Sequence, residues 1–159
     1  MKIEEVPVDG RRSLRPVLDE SFTGLYRWHA RRTLRSVAQV RKATRDGALL
    51  GFTMSTMVGK DIGCIYYAAV TTSARAQGVG GALLDDALQR LRADGAREFF
   101  ACARSKNEPA VRLLQSRNFA RTSFHEVAFA KGFAATVRLW VRMVVVPGET
   151  VFVRWLRSG

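Results

Sequence analysis

Apolar residues recur along the chain with two different periods, and the change from one to the other marks its elements. Residues 2 to 8 read as a short strand, and Asp9-Gly10 supplies the turn out of it. From Ser13 to Val37 the apolar positions Leu14, Val17, Leu18, Phe22, Leu25 and Tyr26 recur at helical spacing, and Gly24 divides the run into two helices. Between Ser36 and Met57, β-branched and apolar residues flank Arg45-Asp46-Gly47, which predicts a hairpin because an Asp-Gly pair adopts the positive φ angles of a tight turn. Ile62 to Val70 predicts a further strand that runs straight into a glycine-rich segment.

Beyond that segment Val79, Leu83, Leu84, Ala87, Leu88 and Leu91 line one face of an amphipathic helix that Gly95 ends. Arg97 to Ala103 reads as the next strand, and Asn107 caps a helix that tolerates Pro109 in its first turn. Strand, helix, strand, helix in this order implies parallel neighbouring strands. Phe119 to Val127 reads as a strand and Ala128 to Thr136 as a short helix. Val137 to Val146 and Val151 to Leu156 alternate about Pro147-Gly148, which predicts a terminal hairpin. The fold class is α/β with a mixed sheet.

With 159 residues, 47% of them hydrophobic and 25% charged, the chain suits one domain over residues 1–159. Arg138 and Arg142 interrupt the most apolar stretch, which excludes a spanning helix, and Glu4 and Glu5 stand where a secretory leader needs positive charge. The expectation is a cytoplasmic protein with no membrane partner. Cys64 and Cys102 lack metal-ligand spacing, so neither a disulfide scaffold nor a metal site is expected. The formal charge of +12 narrows the partners to anions or acidic surfaces, since guanidinium groups suit phosphates, or else it reflects solvated faces.

The informative stretch is Arg75-Ala76-Gln77-Gly78-Val79-Gly80-Gly81, between a strand and the first turn of a helix. Three glycines leave the main chain bare, so several N–H groups at the positive end of a helix dipole can address one anion. A P-loop requires Gly-Lys-Ser/Thr, and the residues after Gly80 are Gly81, Ala82 and Leu83. A dinucleotide fingerprint requires glycine or alanine where Leu83 stands, and Glu98 lies near the start of its strand rather than the end.

The ordered run Ala68-Ala69-Val70, Arg75-x-x-Gly78-x-Gly80, Asn107-x-x-Ala110-x-x-Leu113 and Arg117-Asn118-Phe119 resembles the GCN5-related N-acetyltransferases, the GNAT superfamily, from about Gly51 to Phe119. The resemblance implies an acyl-CoA N-acyltransferase-like fold: a mixed, mostly antiparallel sheet splayed between two parallel strands and flanked by helices. It implies acetyl-CoA as cofactor, with Ala69 and Val70 offering main-chain bonds to the pantetheine arm and the amides from Ala76 to Gly81 holding the diphosphate. Arg75 belongs to the same motif, Asn107 would face the pantetheine or the departing thiol, and Lys106 or Arg104 would meet a cofactor phosphate.

Two positions depart from the family pattern. Leu114 stands where a general-acid tyrosine is common, and Cys102 where one branch carries a glutamate base. The catalytic groups are therefore unassigned. Tyr66, Tyr67, His29, His125 and Glu126 are candidates, each with an ordinary structural role as the alternative, and Cys102 reads as a small buried residue rather than a nucleophile. Arg27, Arg31, Arg32 and Arg35, interleaved with Tyr26, Trp28 and His29, would make a cationic acceptor wall or else a solvated face. The reading is N-acetyl transfer to a primary amine of a small-molecule or protein acceptor by direct attack. A non-catalytic acyl-CoA-binding module and a nucleic-acid-associated basic protein are the alternatives, the latter the less favoured, and a homodimer is left open.

Overall fold

The computed structural model describes residues 1–156. Seven strands hydrogen-bond in the order β1-β2-β3-β4-β5-β7-β6 among these residues, mostly antiparallel with one parallel pair. They are β1 (Lys2–Glu5), β2 (Gln39–Arg45), β3 (Ala48–Met57), β4 (Ile62–Val70), β5 (Glu98–Arg104), β6 (Ala120–Thr122) and β7 (Glu149–Trp155). Six α-helices accompany them: α1 (Arg15–Ser21), α2 (Gly24–Ser36), α3 (Val79–Ala93), α4 (Glu108–Ser116), α5 (Phe124–Lys131) and α6 (Phe133–Met143). No helix among the described residues is long and apolar enough to cross a membrane. By their contacts the residues fall into two compact units, Met1–Thr56 with Ile65–Leu91, and Met57–Cys64 with Arg92 onward.

In the first unit, Asp46 (φ 51°) and Gly47 (φ 80°) make the tight turn that joins β2 to β3. The antiparallel ladder places Ala43 opposite Gly51 and Lys42 opposite Phe52, and it slips by a bulge between Ala43 and Thr44. Beneath it Leu14, Leu18, Ala30, Leu34, Val40, Phe52, Met54 and Ala69 form one buried cluster. Ala43, Ala74, Val79 and Leu83 form another that seats the start of α3. The predicted first strand stops at Glu5, and Val8–Leu14 coils into a 3-10 helix instead of continuing extended.

Arg11 in that 3-10 helix is 7% exposed, far below what a lone cation tolerates. Its guanidinium donates to the carbonyls of Leu34 (3.0 Å) and Val37 (2.8 Å) at the end of α2, and more weakly to those of Val6 and Ala38. A cation on the last carbonyls of a helix satisfies orphan acceptors and complements the dipole. Burial pulls its pKa below the usual arginine value, which still leaves it charged.

In the second unit β7 pairs with β5 from Glu98↔Trp155 to Arg104↔Glu149 and with β6 at Ala120↔Val153. Phe99, Phe100, Phe152 and Val153 are fully buried along these strands. The terminal hairpin predicted from Val137 to Val146 is not formed, because most of that stretch lies in α6. The predicted strand Phe119 to Val127 shrinks to β6, after which Ser123 and Glu126 close a capping box that starts α5. Thr136, Leu139 and Met143 are buried at helical spacing, and packing along that line overrides the β propensity of the valines. Phe124 meets the rings of Phe133 (5.6 Å) and Trp140 (5.3 Å) edge-on and fastens α5 to α6.

A bare-amide turn at the head of α3 and a tyrosine–histidine pair

β4 ends at Val70, and Thr71 turns the chain by donating its amide (2.9 Å) and its hydroxyl (3.2 Å) to the Leu50 carbonyl of β3. After the short 3-10 turn Thr72–Ala74, Arg75 is extended, and then Ala76 (φ 59°) and Gly78 (φ 79°) both adopt left-handed backbone. Ala82 is the first amide that bonds back into α3, reaching the Gly78 carbonyl at 3.0 Å. The amides of Val79, Gly80 and Gly81 therefore remain for an outside acceptor at the positive end of a 15-residue helix. Residues 75 to 78 are exposed while Gly81 is buried. Only Gly78 needs glycine for its backbone angle, and Ala76 shares that conformation at a cost of about 1–2 kcal/mol.

Side chains brace this turn from below. Gln77 donates to the Ser73 carbonyl (2.8 Å) and accepts from Arg45 (3.3 Å), and Arg75 Nε reaches back to the Val70 carbonyl (3.4 Å). Arg41 and Asp86 form a two-pronged pair, 2.7 and 3.1 Å, that ties β2 to α3. The Glu20 carboxylate of α1 accepts from the Thr72 amide (3.0 Å) and from its hydroxyl, and these bonds hold its pKa below the usual carboxylate value.

Ala69 is buried and Val70 half-buried at the end of β4. Gly51 lies so close that a Cβ there would stand 2.4 Å from the Ala69 carbonyl oxygen and 3.1 Å from the Val70 Cα. Sequence reasoning placed Gly51 only at the edge of the motif. Its need for a bare backbone appears once β3 and β4 are side by side.

Ala69 to Gly81 thus form one continuous segment. Asn107 belongs to the other compact unit, where it is exposed and its side chain accepts from the Ala110 amide (3.3 Å), the predicted cap of α4. Asn118 ends that helix in left-handed backbone (φ 62°). Lys106 and Arg104 are exposed in the same unit.

Of the proton-handling candidates, two meet. Tyr67 Oη on β4 and His29 Nδ1 on α2 share a 2.6 Å hydrogen bond, with Thr33 Oγ1 3.4 Å from the same nitrogen and Phe22 edge-on to the Tyr67 ring at 5.1 Å. Tyr66 is half-buried on the same strand. His125 and Glu126 sit in the first turn of α5, and the Glu126 carboxylate is engaged by the Ser123 amide (2.7 Å), which lowers its pKa. Leu114 is buried in α4. Burial, helped by Glu149, pushes the Cys102 thiol up to about 12, and burial raises Cys64 as well, so both stay protonated near neutrality.

The arginines of α2 turn elsewhere. Arg31 makes a bidentate pair with Asp19 of α1, 2.8 Å on one arm, and Arg32 lies over the Trp28 ring at 5.9 Å. Arg31 and Arg35 border a cleft of about 600 Å³ with Arg11, Arg12 and Arg15. Arg31 and Arg35 are therefore turned toward the 3-10 helix and α1, while His29 bonds to Tyr67.

Comparison with known proteins places this geometry in company. The model of the acetyltransferase (GNAT) family matches residues 7–119. No curated protein matches the sequence. Among solved structures, Ard1 from Thermoplasma volcanium superposes with a TM-score of 0.73 at 18% identity, covering 99% of this chain and 98% of that one. An acetyltransferase from Bacillus subtilis in complex with CoA gives 0.72 at 15% identity, with 98% of each chain covered. The putative acetyltransferase yncA from Salmonella typhimurium, with its cofactor acetyl-CoA, gives 0.67 at 15% identity over all of this chain and 95% of that one.

Proposed function

The chain belongs to the acetyltransferase (GNAT) family, and from that premise we propose that it is an acetyl-CoA-dependent N-acetyltransferase acting on a primary amine. The observation that carries the reading is the turn from Ala76 to Gly81. Two left-handed residues and an unobstructed helix start leave consecutive amides without a partner in α3. A diphosphate is the ligand that such a set of donors satisfies. The residues present fit coenzyme A: amides 76 to 81 would hold the diphosphate, Arg75 beside them would add positive charge, and the main chain of Ala69 and Val70 would align the amide-bearing arm. Asn107 fits the same group only as far as the family motif carries it.

Acetyl-CoA, when bound, supplies a thioester carbonyl as the electrophile. The protein's own task is to orient the acceptor amine and remove its proton. Neither cysteine serves, since each is a thiol near neutrality. Tyr67, two residues before Ala69 on β4, and His29 offer a preformed proton path across their shared hydrogen bond. With Nδ1 unprotonated, Tyr67 Oη would take the amine proton as it passes its own hydroxyl proton to His29 Nδ1, along a contact already in place.

The test is titration with coenzyme A by calorimetry, followed by assay of free thiol when acetyl-CoA is mixed with a panel of small amines and peptides. Saturable heat and acceptor-dependent thiol release support the enzyme. Binding without turnover on any acceptor points to the second reading, an acyl-CoA-binding module, which Leu114 and the inert Cys102 favour. No saturable heat removes both. Tyr67→Phe and His29→Gln should lower kcat and shift its pH profile while leaving coenzyme affinity unchanged.

A further inference from the structure

The hairpin of α5 and α6, between β6 and β7, hides one line of residues and leaves a second apolar line in water. Val127, Thr136, Leu139 and Met143 are buried. On the outer side Phe129 is 96% exposed, Phe133 70% and Val141 71%, with Val137 and Val144 exposed beside them. Steps of four residues keep Phe133, Val137 and Val141 in one stripe along α6, and Phe129 on α5 and Val144 just past α6 are exposed as well. Trp155 prolongs it: its indole is 59% exposed, its N–H donates to Glu98 Oε1 (2.9 Å), and the other oxygen of Glu98 holds Lys131 at the end of α5. A contiguous exposed stripe of this kind marks a surface that something covers.

The charges on the hairpin say what. Lys131, Arg138 and Arg142 are exposed along it, and Glu126 is the sole acid between residues 124 and 143. That carboxylate is occupied by Ser123 and Thr122. A second copy of the chain is a poor occupant, because a two-fold contact sets the patch against itself and so sets cation against cation, between two molecules of charge +12.

We propose that the α5–α6 hairpin is a peripheral docking surface for an anionic lipid bilayer, with Phe129, Phe133, Val137 and Val141 entering the headgroup boundary and Arg138 and Arg142 meeting the lipid charge. Apolar residues backed by arginine and lysine are the pattern of helices that lie in that boundary, and Trp155 is the residue type that sits at it. The net charge adds a long-range attraction to the same surface. An acidic protein partner is disfavoured by Phe129, whose ring stands clear of its neighbours: fluid hydrocarbon closes around a protruding ring, whereas a folded partner needs a matching pocket. The surface anchors without spanning, so the sequence-based exclusion of a spanning helix is unaffected.

The experiment is sedimentation of the full chain with vesicles of phosphatidylcholine alone and of phosphatidylcholine with phosphatidylglycerol. Binding is expected to the anionic vesicles only. The double variant Phe129→Ser/Val141→Ser keeps the net charge and touches neither the ring contacts of Phe124 nor the glycine turn, and its fold is checked by thermal melting and coenzyme titration. Its partitioning should fall about tenfold or more. For the wild-type protein, brominated acyl chains should quench tryptophan fluorescence. Absence of binding to either vesicle, or undiminished binding by the double variant, overturns the proposal, the latter because charge alone then suffices. Concentration-dependent dimerisation that the variant abolishes, or a soluble acidic protein captured in place of vesicles, overturns it equally.

Discussion

Replacing Gly51 by alanine asks whether the end of β4 and the start of α3 are set by a close main-chain approach. The added Cβ would lie 2.4 Å from the Ala69 carbonyl oxygen, 3.1 Å from the Val70 Cα and 3.3 Å from Leu83 Cδ1. The first two are backbone atoms that cannot rotate away, so at least about 0.6 Å must come from moving β3, the end of β4, or both. Forced backbone shifts cost about 3 kcal/mol at the upper end of overpacking. Some 0.5–1 kcal/mol returns because alanine restricts the unfolded chain, leaving a net loss of about 2 kcal/mol. Urea unfolding measures it, and calorimetric titration with coenzyme A should show affinity reduced about tenfold as Ala69 and Val70 are displaced. Gly59→Ala is the control: the nearest atoms to its Cβ belong to the Ile62 side chain at 3.3 Å, and the loss should stay below about 1 kcal/mol. If Gly51→Ala matches that control in both stability and affinity, the close approach does not position the segment and the reasoning fails.

Arg11→Met removes the donor shared by the Leu34 and Val37 carbonyls and should cost about 2–4 kcal/mol in denaturant titrations; a loss under 1 kcal/mol would refute its anchoring role. Ala76→Gly relieves left-handed strain, so a stabilisation of about 1 kcal/mol is expected, read as a rise in Tm with coenzyme affinity retained. Asp19 and Glu20 have folded pKa values depressed by Arg31 and Thr72 respectively. Their contribution is full above the unfolded carboxylate values near about 4 and is lost as pH falls through the folded ones, so an acid titration of stability should steepen there and flatten in Asp19→Asn/Glu20→Gln. A thiol reagent at pH 8 should leave Cys102 and Cys64 of the folded protein unlabelled, since burial holds both protonated; rapid stoichiometric labelling would contradict it.

Elements with strong local signals were readable from sequence. Asp46-Gly47 does turn β2 into β3, the leucine face of α3 is the buried one, and Asn107 does cap α4. The 137–146 stretch reads as a strand because Val137, Leu139, Val141 and Met143 alternate, yet Thr136, Leu139 and Met143 also satisfy the helical period that the structure adopts. The Ser123-x-x-Glu126 capping box was present as a signal for a helix start and arbitrates between the two. Gly51, the burial of Arg11 and the left-handed Ala76 depend on partners distant in sequence or on tertiary strain, which no local pattern encodes. His29 and Tyr67 were separate candidates, and their pairing needed the packing of α2 on β4 to become visible.

Glu98, buried at the first position of β5, engages the indole of β7 and the ammonium at the end of α5 with its two oxygens. The α5–α6 hairpin, already seated by Val127, Leu139 and Met143, is thereby also fastened to the strands through a polar link. A load carried by α5 would reach β5 and β7 through that one carboxylate as well as through the buried side chains, so losing Glu98 would loosen the joint without detaching the hairpin.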